Sequence, residues 1–353
     1  MQKVWKKDSK NLLKINSLVF AVFLIGISIV VALLVMIFVR TPPSYYEYTG
    51  FTLGTYCRIV VSSKKGSKNL AEIIFNELDR VYKKFDPNNP SSVVSKINSS
   101  DDWIDLDEES FVLIDAAMKF SQITEGAFDP ALGNLIKLWG FDRIAEKVPT
   151  KVPSQSEIDE ILKHCGVVRV ELDSRTRRIK LNDGVKLDLG GIAKGYALDR
   201  AYQIAKEIDP KCTGFIEAGG DIRILGPKFG SRPWVIGVRD PRKSDSAIGY
   251  LYLTEGAVAT SGDYERYFIV DGVRYHHIFD PKTGYPSRGA QSVTVIARDA
   301  TTADVLSTAG FVKAQEWEYV VLEYPRLGGS VLLVDGDGTI HRSPSFSVYE
   351  RPR

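Results

Sequence analysis

The chain has 353 residues, of which 44% are hydrophobic and 25% charged, and this composition is ordinary for a globular protein. Its formal net charge at pH 7 is only +2, and the basic N-terminal tail alone supplies more than that. The rest of the chain is near neutral, so the composition gives no reason to expect a nucleic-acid-binding protein.

The first feature along the chain is an uncharged run at residues 18–39, LVFAVFLIGISIVVALLVMIFV. As a helix it would be about 33 Å long, enough to cross a hydrocarbon core of about 30 Å. Five lysines precede it, against one Asp8, and only Arg40 follows closely. The positive-inside rule therefore predicts a cytoplasmic tail at 1–17, a single transmembrane anchor at 18–39 and an extracytoplasmic remainder. A long, cleaved signal peptide is the alternative, although no A-x-A site follows.

Residues 40–50 are expected to be a linker, because Pro42 and Pro43 would stop the membrane helix. One extracytoplasmic domain is then expected over residues 51–353. The three cysteines form no C-x-x-C pair and no Cys/His metal pattern, and an odd number outside the cytoplasm argues against a disulfide framework. Buried free thiols are therefore expected.

Three helices are predicted in the first half of this domain. Apolar residues recur at helical spacing between Leu70 and Phe85, and again between Phe111 and Met118. A capping box, Ser-x-x-Glu beginning at Ser154, predicts a third and shorter helix.

Short runs of β-branched and aromatic residues predict the strands. They lie at 56–61, 167–172, 178–181, 221–225, 234–238, 248–253, 266–270 and 292–297. Short turns join 167–172 to 178–181 and 266–270 to 274–278, which predicts two hairpins. Because regular βαβ alternation is missing, we expect an α+β fold with a mixed or largely antiparallel sheet and flanking helices.

The segment KLDLGGIAKGYALD, residues 186–199, has the pattern of an anion site. A strand ends at Asp188, two glycines turn the chain, and a helix begins whose free N–H groups would attract phosphate. Lys194 would add a positive charge. A glycine turn with only a structural role is the alternative, since neither G-x-G-x-x-G nor G-x-x-x-x-G-K-[ST] is present.

The segment RDATTADVLSTAGFV, residues 298–312, carries a candidate metal site. On a helix, Asp304, Ser307 and Thr308 share one face and offer only oxygen, which suits Mg²⁺. The alternative is a capped amphipathic helix whose hydroxyls bond back to the preceding turn.

The tripeptide FDP occurs at 85–87, 128–130 and 279–281, the last time behind the pair His276 and His277. Proline fixes its own φ and restricts the residue before it, so each FDP predicts a stiff turn. Neighbouring strand residues point to opposite faces, so only one of the two histidines is expected to face a site.

Taken in order, these segments resemble the ApbE family, the FAD:protein FMN transferases. The similarity runs from TLGTYCRI (52–59) to TTADVLSTAGF (301–311) and covers about residues 51–335. It implies transfer of FMN from FAD to a threonine or serine hydroxyl of an acceptor flavoprotein, with Mg²⁺ and with release of AMP. The alternatives are an FAD pyrophosphatase, in which water replaces the acceptor, and a non-catalytic, membrane-tethered FAD-binding protein.

The resemblance also implies which residues form the site. His277 would be the catalytic base, since an imidazole titrates near pH ~6.5. Flavin contacts would fall at Leu53, Phe85, Ala127, Phe128, Asp129, Asp188, Lys194 and Ile278. The metal would be held by the carbonyl of Gly191 and by Asp304 and Thr308, with Ser307 where some relatives carry a second aspartate.

Overall fold

The computed structural model describes residues 22–32, 44–143, 147–243 and 245–351. Residues 22–32 are helical with exposed side chains, whereas the rest of the expected anchor lies largely outside the described residues, and the tail 1–17 lies wholly outside them. Within the four described ranges, no helix has both the length and the apolarity needed to cross a membrane.

Fifteen strands lie in the described part of the chain. In sequence order they are β1 (Tyr46–Thr52), β2 (Thr55–Ser62), β3 (Ile104–Asp105), β4 (Val170–Asp173), β5 (Arg178–Leu181), β6 (Thr213–Ala218), β7 (Asp221–Gly226), β8 (Trp234–Arg239), β9 (Ala247–Leu253), β10 (Ala257–Gly262), β11 (Tyr267–Val270), β12 (Val273–His276), β13 (Ala290–Ala297), β14 (Ser330–Asp335) and β15 (Ile340–Arg342).

The main sheet has eight strands in the order β1-β2-β6-β7-β10-β13-β14-β15. Every neighbouring pair in it is antiparallel. The smaller sheets, β3-β5-β4, β8-β9 and β11-β12, are antiparallel too. The predicted α+β class and both predicted hairpins, β4–β5 and β11–β12, are therefore confirmed.

Among the described residues from 67 onward, eight α-helices flank these sheets. They are α1 (Ser67–Phe85), α2 (Val93–Asn98), α3 (Glu108–Ile123), α4 (Gly133–Leu138), α5 (Gln155–Leu162), α6 (Ala193–Ile208), α7 (Ala300–Val312) and α8 (Trp317–Glu323). The three helices predicted in the first half of the domain are α1, α3 and α5, and the helices expected after the glycine pair and within 298–312 are α6 and α7. At α5 both hydrogen bonds of the predicted capping box are present, between Ser154 and Glu157.

Most predicted strand boundaries shift by one or two residues, and the strand expected to end at Asp188 does not form. Two boundaries differ by more. The expected linker at 40–50 is wrong from Tyr46 onward, because Tyr46–Thr52 pairs with β2 along its whole length. As the edge strand of the sheet it alternates exposed and half-buried residues, which gives it little apolar signal. The predicted strand at 167–172 begins only at Val170, because residues 167–169 form a single 3₁₀ turn.

The helices α1, α6 and α7 cover one face of the main sheet and enclose the largest part of the core. The β8–β9 hairpin covers the other face, where Trp234 and Leu251 pack with Val258 and Ile296. Strand β13 is consequently buried on both faces. The three cysteines are free and buried, as expected.

A third apolar cluster joins α4 and α5 to the β11–β12 hairpin. Trp139 lies at its centre, in ring contact with Phe268 and Phe279. Its indole N–H donates to the carbonyl of Gly284 at 2.9 Å. This packing fixes the hairpin that carries the histidine pair and the third FDP segment.

Candidate active site

The anion-site motif and the candidate metal helix meet where α6 crosses α7. A Cβ added at Gly195 would lie 2.4 Å from the carbonyl oxygen of Ala300, so the two backbones are in direct contact there. One turn earlier, a Cβ at Gly191 would lie 3.1 Å from the Phe128 ring and 3.8 Å from Cγ2 of Thr308. The glycines thus allow the turn before α6 to approach α7 closely.

Asp304 lies at this crossing, with only 5% of its surface exposed. The backbone N–H of Gly195 donates to its Oδ2 at 2.9 Å. Burial raises the pKa of Asp304 to about 7; Lys194 opposes this rise and the charge of Asp221 adds to it. A cation placed beside this buried carboxylate would stabilise its charged form.

Lys194 provides part of that positive charge. Its Nζ lies 2.6 Å from Oδ2 of Asp221, a buried carboxylate at the start of β7. Burial alone would lower the pKa of Lys194, but Asp221 and Asp304 outweigh it and the pKa lies above its ordinary value. Lys194 is therefore held in its charged form by its ion pair with Asp221 and by the negative charge of Asp304.

Three hydroxyl groups complete the oxygen donors around α7. Ser307 Oγ donates to the carbonyl of Asp304 at 2.9 Å. Ser261 Oγ, on β10, lies 2.8 Å from Ser307 Oγ and 3.3 Å from Thr308 Oγ1. Ser307 therefore uses its proton within α7. Asp304, Thr308 and Gly191 lie together at the α6–α7 crossing.

This donor set fits a hard cation. Among the described residues, no three His, Cys, Asp or Glu side chains come together as a metal cluster. One carboxylate, a hydroxyl and a carbonyl make an all-oxygen set. Mg²⁺ accepts such a set because it keeps several waters and takes phosphate oxygens from its ligand.

All three FDP segments form the same local turn. In each, the N–H two residues beyond the aspartate donates to its Oδ1, at 2.9 Å for Asp86, 2.8 Å for Asp129 and 2.9 Å for Asp280. The predicted stiff turns are thus confirmed. Asp129 also accepts from the N–H of Val167 at 3.3 Å, so both of its oxygens bind backbone.

The second FDP segment lies directly against the glycine turn. The N–H of Asp188 donates to the carbonyl of Pro130 at 2.8 Å, and Asp188 Oδ1 accepts from the N–H of Gly190 at 2.7 Å. Ala127 and Phe128 are buried beside them, with 7% and 3% of their surface exposed. The structure therefore brings together five predicted positions, 127, 128, 129, 188 and 191.

The other predicted flavin contacts lie on separate elements. Leu53 forms the β1–β2 turn with a left-handed φ of 55° and packs against the main core. Phe85, the last residue of α1, is 2% exposed and meets Tyr196 edge-to-face at 6.2 Å, so it is a core residue here. Ile278, 5% exposed, follows the histidine pair.

The two histidines differ as the alternation argument predicts. His276 is 3% exposed; its Nε2 donates to the carbonyl of Ser287 at 3.0 Å and its Nδ1 accepts from the N–H of Ile278 at 3.3 Å. Both of its nitrogens are occupied, and burial lowers its pKa to about 4. His276 is therefore a neutral structural histidine.

His277 is placed differently. Its Nδ1 lies 3.2 Å from the carbonyl of Arg266 and must donate to it, because a carbonyl only accepts. This leaves Nε2 as the unprotonated nitrogen. Burial, followed by the charges of Arg266 and His276, keeps the pKa of His277 well below 6.5. At neutral pH the ring is thus a free base.

Sequence reasoning missed three residues at this site: Ser261, Asp221 and Arg266. Burial raises the pKa of Asp188, and the positive charge of Arg266 acts against that rise. The same positive charge also acts to lower the pKa values of Asp304 and His277. Arg266 therefore influences the protonation of groups in the glycine turn, in α7 and after β12. Ser261 and Arg266 both lie in ATSGDYERYF (259–268), and nothing in their spacing marked either of them.

A glycine turn, a lysine paired with a buried aspartate and several oxygen donors of one helix thus meet at the α6–α7 crossing. The sequence model of the ApbE family matches residues 53–328. The chain therefore belongs to the ApbE family.

Individual relatives agree with this assignment. The FAD:protein FMN transferase of Treponema pallidum is 33% identical over 316 residues, which cover 82% of this chain and 85% of that protein. The crystal structure of the ApbE protein from Thermotoga maritima is 56% identical, with a TM-score of 0.85, over 87% of this chain and all of that chain. The flavin transferase ApbE from Vibrio cholerae is 29% identical, with a TM-score of 0.76 and the same coverage of both chains.

Proposed function

We propose that this chain is an FAD:protein FMN transferase that moves FMN from FAD to a threonine or serine hydroxyl of an acceptor flavoprotein and releases AMP. The observation that carries the proposal is the crossing of α6 and α7. There, Lys194 and Asp304 lie beside the glycine turn in a member of a family whose relatives bear that name.

The glycine turn and Lys194 would bind the pyrophosphate of FAD. Gly190 and Gly191 open the backbone, and the start of α6 offers N–H groups to the phosphate oxygens. When bound by Asp304, Thr308 and the carbonyl of Gly191, Mg²⁺ supplies neutralisation of the phosphate charge. Lys194 would screen the same charge.

His277 would activate the acceptor. Its Nε2 takes the proton of the acceptor hydroxyl, whose oxygen forms a bond to the phosphorus atom of the FMN half. The bond between this phosphorus atom and the bridging oxygen of the pyrophosphate breaks, and AMP leaves with the bridging oxygen. Positioning and charge neutralisation supply most of the rate in such phosphoryl transfers, and a placed base adds about 10²- to 10⁴-fold.

The test of these roles compares the two histidines in single-turnover FMN transfer at saturating FAD and Mg²⁺. We expect His277→Ala to lose about 10²-fold or more of the transfer rate. FAD affinity, measured separately by flavin fluorescence, should stay within twofold, because the ring is not needed to bind the flavin. His276→Gln, the matched control, should keep the rate. Wild-type rates in both variants would show that neither histidine is the base.

We also propose that residues 18–39 anchor the enzyme in the cell membrane, with the catalytic domain outside and acceptors at the same surface. The support is the uncharged run and the excess of lysines before it. Protease added to intact cells should digest the catalytic domain and spare the N-terminal tail. Release of the whole protein by high salt alone would contradict the anchor.

A further inference from the structure

The crossing of α6 and α7 is held by one carboxylate that the proposed reaction does not use. Asp199 lies one turn beyond Gly195 on α6. Its Oδ1 accepts the N–H of Ala300 at 2.9 Å, and its Oδ2 accepts the N–H of Thr301 at 2.8 Å and the hydroxyl of Thr301 at 2.7 Å. Three hydrogen bonds thus join α6 to the first turn of α7.

Arg223 of β7 fixes Asp199 in turn. Its Nε lies 2.9 Å from Asp199 Oδ1, and the two side chains are only 10% and 14% exposed. Its NH1 donates to the carbonyl of Gly256 at 2.8 Å, and its guanidinium lies 4.0 Å from the centre of the Tyr202 ring. An arginine held at three points leaves the carboxylate of Asp199 little freedom to move.

The contacts between the two helices follow a single register. Positions 195 and 199 lie one turn apart on the same face of α6, and position 191 lies in the turn just before the helix. They meet positions 308, 304 and 300 of α7, which are spaced in the same way and run in the opposite direction. A contact that fixes position 199 against position 300 therefore also fixes how positions 304 and 308 of α7 lie relative to the glycine turn.

We propose that Asp199 is a positioning residue of the metal site: it sets the register at which Asp304 and Thr308 of α7 face Gly191. The proposal rests on the proposed function, since Mg²⁺ is the ion of that reaction. A local helix cap would not do the same, because Asp299 already caps α7 from its own strand-to-helix loop by accepting the N–H of Thr302. Asp199, by contrast, ties this end of α7 to a neighbouring helix.

The experiment measures Mn²⁺ binding to the full-length protein with saturating FAD, by the electron paramagnetic resonance signal of free Mn²⁺. For Asp199→Asn we expect the Kd for Mn²⁺ to rise about 10- to 100-fold, as for other groups that orient metal ligands. FAD affinity without metal should stay within twofold. Thr301→Val removes one hydrogen bond and should raise the Kd about two- to tenfold, which decides the matter if Asp199→Asn does not fold.

Asp209→Asn is the matched control. Asp209 also lies at an end of α6, is buried, and accepts hydrogen bonds from Ser63, Lys64 and Lys211, away from α7. It should lower the melting temperature and leave the Kd for Mn²⁺ unchanged.

Wild-type Mn²⁺ affinity in Asp199→Asn, or an equal loss in Asp209→Asn, would overturn the proposal, and so would a wild-type protein that binds no Mn²⁺. A wild-type protein that binds Mn²⁺ and shows the expected variant pattern, yet transfers no FMN, would support the positioning role and contradict the proposed function instead.

Discussion

Replacing Gly195 by alanine tests the contact on which the site depends. The added Cβ would lie 2.4 Å from the carbonyl oxygen of Ala300 and 2.8 Å from Cα of Thr301. Both are backbone atoms, so no flexible side chain can turn away. To reach an ordinary contact, α7 must move from α6 by roughly 1 Å, the shortfall from a normal carbon–oxygen distance.

Two effects on folding stability oppose each other in this variant. Overpacking costs about 1–3 kcal/mol, whereas alanine in place of glycine within a helix recovers about 1 kcal/mol. The net loss should therefore be about 0–2 kcal/mol, which leaves the protein folded. Catalysis should suffer more, because the hydrogen bond from Gly195 to Asp304, now 2.9 Å, is broken by the same movement. A misplacement of about 1 Å costs on the order of 10²-fold in rate.

The assay is single-turnover FMN transfer, paired with urea unfolding of the same preparations. Gly237→Ala is the control, because a Cβ there meets its nearest atom at an ordinary 3.6 Å. We expect Gly195→Ala to lose about 10²-fold in rate and Gly237→Ala to keep it. A fully active Gly195→Ala variant would show that the spacing of α6 and α7 does not govern the site.

Two further outcomes are expected. Asp304→Ala should abolish transfer and keep the fold, because it removes the carboxylate of the metal set; wild-type activity at limiting Mg²⁺ would exclude Asp304 from the metal site. His276 should make folding stability depend on pH. Its imidazole binds a proton below pH ~6.5 in the unfolded chain but only below about 4 in the folded chain. Stability that is fully present above pH ~6.5 is therefore lost as the pH falls towards 4. The difference of about 2.5 pKa units corresponds to roughly 3 kcal/mol, and urea unfolding of His276→Gln should show a flatter pH dependence than that of an otherwise identical His164→Gln control.

The elements that were predicted correctly from sequence carry strong local signals. Helix α1 buries residues at helical spacing from Leu70 to Phe85, and Ser154 and Glu157 cap α5 by contacts within one turn. The three Asp-Pro turns likewise depend only on residues two apart. In each case the physics that fixes the structure lies within the segment itself.

The features that sequence reasoning missed depend on contacts between distant segments. Strand β1 is stabilised by pairing with β2 and has little apolar pattern of its own. Ser261 lies in hydrogen-bond contact with Ser307, 46 residues away, and Asp221 of strand β7 pairs with Lys194 of helix α6. Phe85 is buried in the core and meets Tyr196 edge-to-face, a contact that its sequence neighbours do not indicate, and its flavin contact stays a prediction. No single polar residue reveals such a partner before the sheet order is known.

The most direct test of the proposed reaction is the intact mass of an acceptor flavoprotein after incubation with this enzyme, FAD and Mg²⁺. A transferase should add the mass of one FMN to the acceptor, on a threonine or serine, and should release AMP in equal amount. An unmodified acceptor together with free FMN would identify an FAD pyrophosphatase, and unmodified acceptor with intact FAD would identify a protein that only binds the flavin; either result would contradict the proposal.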